Sequence, residues 1–207
     1  MSAARYTAST FLIASSVLAV GWWTWRRLRG QRVGNAPFEG WPRLAPVMRR
    51  TVSIWIAAHL LSLAGFGALT AILVVSGDAA LSVVALVVLT LSVVFVILEG
   101  THHMTVGIWS AERYVEEGIR PEFTIPVEAW ANRSFQTVYY LLGMAGLGLF
   151  GAAMVVTGVP ARWTGWIGVG WALAWLTIMA FRRRMWSWAL LAPVQLLVGL
   201  TLVGSVA

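Results

Sequence analysis

Residues 80–100 read Ala80-Leu-Ser-Val-Val-Ala-Leu-Val-Val-Leu-Thr-Leu-Ser-Val-Val-Phe-Val-Ile-Leu-Glu-Gly100, nineteen residues without a charge before Glu99. A helix that crosses a bilayer needs roughly 20 predominantly apolar residues, so this run predicts a span. Five further runs of similar character lie outward from it, at 8–25, 51–76, 135–158, 163–181 and 185–205. The expected fold class is therefore all-α: residues 1–207 form a single integral membrane bundle of about six transmembrane helices. A cytoplasmic loop is expected at about 101–133.

Composition supports this. Charged residues make up 11% of the chain and hydrophobic ones 59%, where a soluble domain carries about 25% charge. That charge is too sparse to cover a water-facing surface. Cysteine is absent, which excludes disulfides, thiolate metal sites and a cysteine nucleophile. All 15 basic residues are arginine, so no lysine can form a Schiff base. Arginine without lysine, beside much Ala, Gly, Val and Trp, points to a bacterial source. The net charge of +7 is spread over helix ends, which suits membrane topology and anionic headgroups. Nucleic acid is not an expected partner; membrane lipids are.

The arginines orient the bundle. The loops after the first, third and fifth predicted helices hold thirteen of them, against Arg5 and Arg162 on the other side. The positive-inside rule makes those loops cytoplasmic and both termini external, in a plasma membrane. The first helix ends on Trp22, Trp23 and Trp25 followed by Arg26, Arg27 and Arg29. That order fits a retained anchor, since a cleaved signal peptide carries its charges before the apolar run. Outer turns are expected at Ser76-Gly77-Asp78 and Gly158-Val159-Pro160-Ala161. Pro121 and Pro126 are expected to break the cytoplasmic segment into an interfacial loop. Small residues at four-residue spacing, Gly148/Ala152, Gly168/Ala172 and Gly170/Ala174, predict close packing of the fourth and fifth helices.

Residues 158–171, Gly-Val-Pro-Ala-Arg-Trp-Thr-Gly-Trp-Ile-Gly-Val-Gly-Trp, resemble a turn in small uncharacterised bacterial multi-pass membrane proteins of a domain-of-unknown-function family. That family typically has Gly-Leu-Pro-Arg-Trp-Leu-Gly-Trp; here Ala161 is extra and Thr164 replaces leucine. The resemblance implies the architecture and carries no activity with it.

Ionisable residues inside a membrane are costly and mark candidate sites. Counted from the turn near Asp78, His59 and Glu99 differ in depth by only about 3 Å, so a contact between them is expected. His102 and His103 lie about one turn further toward the cytoplasm, within reach of Gln136, Tyr139 and Tyr140. These seven side chains form the candidate polar site. In its plainest role, the His59–Glu99 pair would merely stabilise the hairpin. Haem or a metal through His59, His102 and His103 is chemically permitted. No HExxH spacing supports it, and no cofactor is expected. Nucleophile-elbow, phosphate-loop and paired-aspartate signatures are missing.

The function favoured by these residues is non-catalytic: a protein that binds a membrane protein partner or a lipophilic small molecule at a cytoplasm-side polar patch. Two alternatives stand beside it. One is a membrane enzyme on a lipid-like substrate, with a His/Glu acid–base pair. The other is a small transporter using Gln195 beside Pro193. The topology is directly testable: in intact cells an N-terminal tag should be cleaved by external protease, and a protected tag would remove the first span.

Overall fold

The computed structural model describes residues 3–28, 38–182 and 191–204. Arg29, Arg32, Arg183, Arg184, Trp186, Trp188 and the predicted start of the last helix at 185 lie outside the described residues, as do the side chains of Arg26, Arg27, Arg133 and Arg182.

The described residues form helices and no strand: α1 (Ala3–Leu28), α2 (Trp41–Val75), α3 (Ala80–His102), α4 (Ile108–Glu117), α5 (Thr124–Thr157), α6 (Arg162–Arg182) and α7 (Ala192–Gly204). A 3₁₀ turn, Phe38–Gly40, leads into α2, and a π-helical segment, His103–Gly107, joins α3 to α4 as one continuous rod. Five of the resulting six rods are long and apolar enough to cross a membrane. The sixth, α7, has 13 described residues, which reach roughly 20 Å.

Two boundaries differ from the sequence expectation, and each helix has a proline in its first turn, Pro42 in α2 and Pro126 in α5, where backbone N–H groups have no helical partner. Helix α2 begins at Trp41 with Pro42 at its start and runs through Pro46. Helix α5 begins at Thr124, so Pro126 lies inside its first turn. The expected loop at about 101–133 is thus mostly helical, with only 118–123 as a turn. Ser110 donates to Thr124 Oγ1 across that turn at 2.9 Å, holding α4 against the start of α5.

The hairpin turns fall where expected. Gly77 takes a φ of 104°, and the Leu81 N–H donates to Asp78 Oδ1 at 3.1 Å, satisfying one open donor of α3. Gly158 ends α5 with φ 74°. One core runs through the bundle, including Leu12 of α1, Phe66 and Leu69 of α2, Leu89 of α3, Phe150 of α5 and Val198 of α7. Phe66 and Phe150 stack with centroids 4.6 Å apart. Val83, Val87, Leu91, Val94 and Leu98 of α3 remain exposed, an apolar face suited to lipid.

Helices α5 and α6 meet backbone to backbone. A Cβ on Gly165 would lie 2.5 Å from the Gly151 carbonyl oxygen, and one on Gly151 would lie 2.8 Å from the Gly165 oxygen. Gly148 meets Ala172, as the small-residue spacing predicts, and Gly168 faces Gly151, a residue outside the predicted pairs. Gly170 has nothing within 4 Å of its would-be Cβ and Ala174 is exposed, so the third predicted pair faces away from the interface. The contrast makes a test. Gly165→Ala should lower the melting temperature in detergent by an overpacking penalty of about 1–3 kcal/mol. Gly170→Ala should leave it unchanged or slightly raise it, through alanine's helix propensity.

Candidate functional site

The seven candidate residues divide into two groups. The first is closed. His59 on α2 has Nδ1 at 2.9 Å from the Trp55 carbonyl oxygen, which can only accept, so Nδ1 carries the proton. In the neutral ring Nε2 then accepts from the Tyr139 hydroxyl of α5, at 3.3 Å. The Trp55 ring stands edge-on to both His59 and Tyr139, and Tyr140 packs beside Tyr139 with centroids 4.4 Å apart. Ser92 of α3 donates to the Tyr139 carbonyl at 2.9 Å. Three helices are thereby pinned at one level, and both nitrogens of His59 are engaged. Neither is left as an axial haem ligand.

The second group is incompletely paired. Glu99 is only 4% exposed, and next to it Gly100 lets α3 approach α2 so closely that a Cβ there would lie 2.7 Å from Val52 Cγ1. Glu99 Oε1 lies 3.7 Å from His103 Nε2, while Oε2 is buried with no hydrogen-bond partner. His102 Nε2 is also buried and unpartnered, and the His102 ring stands edge-on to that of His103. Glu128, in the first turns of α5, accepts from Arg120 through Oε2 but leaves Oε1 buried and unpartnered. The π segment begins at His103; such widened turns re-register a helix and are frequent at functional sites.

Below this group the arginine-rich end of the bundle has a floor. Phe38 packs against Trp41 and Tyr114, and Arg120 lies 4.1 Å over the Phe38 ring.

The expected His59–Glu99 contact is replaced. Each residue has a different partner: Tyr139 for His59 and His103 for Glu99. Equal depth along a hairpin fixes height but not rotation about the helix axis, and rotation directs His59 to α5. Gln136 is partly buried on α5 and makes no side-chain hydrogen bond among the described residues. Glu128 escaped the sequence reading because Pro126 disguised its segment as loop. Its one signal was position, a lone carboxylate heading toward the long apolar run of α5.

Gln195 belongs elsewhere. Its Nε2 donates to Ser62 Oγ at 2.7 Å and its Oε1 accepts from Ser15 Oγ at 3.2 Å, joining α7 to α2 and α1. The cavity beside it, about 10 Å³ and lined by Ser15, Ala58, His59, Ser62 and Gln195 among others, is the size of one water. No three His, Asp or Glu side chains are grouped as metal ligands among the described residues.

No family model, curated protein or solved structure matches the chain, and the chemistry of the site is read from its geometry. Tyr139→Phe should cost about 1–3 kcal/mol, because it leaves His59 Nε2 buried without its donor. Thermal unfolding in detergent measures this, and an unchanged midpoint would show that the hydroxyl contact contributes nothing.

Proposed function

We propose that the chain is a bacterial plasma-membrane protein that binds, without transforming it, a lipophilic molecule with a cationic, hydrogen-bond-donating head. The head sits at Glu99, reached from the cytoplasmic leaflet. The observation that carries this reading is the set of unfilled buried atoms: Glu99 Oε2, Glu128 Oε1 and His102 Nε2. A carboxylate oxygen buried without a partner is destabilising by several kcal/mol in an apolar medium, and intramembrane ionisable groups are kept for function. Carboxylate oxygens only accept, so the partner missing at Glu99 Oε2 is a donor, and a cation suits Glu99 because the second carboxylate, Glu128, already has Arg120. A primary amine or guanidinium on an acyl or isoprenoid tail has that chemistry.

Orientation rests on arginine placement. The group lies toward the end where α1 finishes and α2 begins, and the sequence connecting those helices, 26–50, carries seven arginines, which the positive-inside rule assigns to the cytoplasm. Helix α1 is long and apolar enough to span, in keeping with external termini.

One alternative has its own observation. Glu99 and His103, 3.7 Å apart, could serve as an acid–base pair on a lipid-like substrate. The transporter reading has less behind it, since Gln195 is satisfied within its own network.

The test uses three amphiphiles of equal chain length: a primary amine, an alcohol and a carboxylic acid. At a hundredfold excess over its Kd the amine should stabilise the purified protein by about 2.7 kcal/mol, with no shift from the other two. Glu99→Gln keeps the side chain's shape and should melt as a folded protein that no longer responds. Equal shifts from amine and alcohol, or an undiminished response in Glu99→Gln, would overturn the proposal. Mass spectrometry showing conversion of the amphiphile would favour the enzyme.

A further inference from the structure

We infer a second, separate site, for the phosphate diester of an anionic phospholipid, between the ends of α1 and α2. A cavity of about 140 Å³ is lined there by Trp22, Trp25, Pro46, Val47 and Arg50. It shares no residue with the Glu99 group. Trp22 and Trp25 stack with centroids 4.8 Å apart and form an aromatic wall. The Trp22 indole nitrogen is buried and has no hydrogen-bond partner, and an indole N–H can only donate. Arg50, on the opposite wall, is exposed and forms no ion pair among the described residues. Arg50 thus presents a charged donor to a cavity whose aromatic wall includes Trp22, itself carrying a buried, unfilled indole N–H.

The flanking sequence is basic. Residues 26–50 contain seven arginines and a single acid, Glu39. Basic pockets between spanning helices at this level suit phosphorylated headgroups. Three features favour a lipid over free phosphate. The tryptophans belong to the aromatic belt at the end of an apolar helix, the depth of headgroups. Pro46 and Val47 make part of the wall apolar, where glycerol carbons would lie. Val17, Gly21 and Trp25, about one turn apart on α1, are all exposed and form a stripe along which an acyl chain can run from the cavity into the bilayer.

The experiment is native mass spectrometry of the full chain released from phosphatidylcholine bilayers with or without phosphatidylglycerol. One phosphatidylglycerol should be retained in preference to phosphatidylcholine. Arg50→Gln, which removes a charged hydrogen bond, should weaken retention roughly tenfold, and Trp22→Phe should weaken it less. Arg43→Gln changes the net charge equally but lies outside the cavity and should retain the lipid. Equal retention of both lipids, or equal loss in Arg43→Gln and Arg50→Gln, would overturn the site in favour of diffuse charge attraction. If inorganic phosphate displaced phosphatidylglycerol at matched concentration, the site would be one for free phosphate and the lipid assignment would fall. Long-chain amine binding at Glu99 should be unaffected by Arg50→Gln.

Discussion

A polar atom in a hydrocarbon solvent has to find its partner inside the protein, and most of this structure follows from that requirement. Helices satisfy the backbone. Hydroxyls within them donate to the carbonyl four residues back, as Ser16 does to Leu12, Thr70 to Phe66 and Thr157 to Ala153. Larger polar groups are satisfied between helices: Gln195 by Ser62 and Ser15, His59 by Tyr139. Among the described residues eight buried side-chain atoms are exceptions. They include carboxylate oxygens of Glu99 and Glu128, both toward one end of the bundle, and the indole nitrogen of Trp22.

The second requirement is close approach. Burial of apolar surface gives little net association between helices already in lipid, so packing rests on dispersion and on how near two backbones can come. The α5–α6 seam is the tightest case, with Gly151 and Gly165 each occupying the space where the other's side chain would be. That approach sets the position of α5, and α5 carries Tyr139 and Glu128, the partners that complete the two polar groups. Gly100 does the same for α3 beside Glu99. Small residues outside the polar groups therefore decide where the atoms of those groups lie.

What the sequence by itself determined is what one-dimensional patterns can carry. Apolar run length marked the spans, Gly77 and Gly158 marked the hairpin turns, and the scarcity of charge singled out His59, Glu99, His102 and His103. It also carried the arginine asymmetry on which the orientation rests. The tertiary structure alone decided who meets whom. Periodicity places residues on a helix face and at a depth, but the rotation of one helix against the next follows from the shape of the whole seam. Hence equal depth suggested a His59–Glu99 pair, while rotation gave His59 to Tyr139 and left Glu99 with His103. Gly151, whose contact partner lies on another helix, and Glu128, hidden behind Pro126, became visible only once α5 was in place, because their significance lies in neighbours that local sequence does not specify.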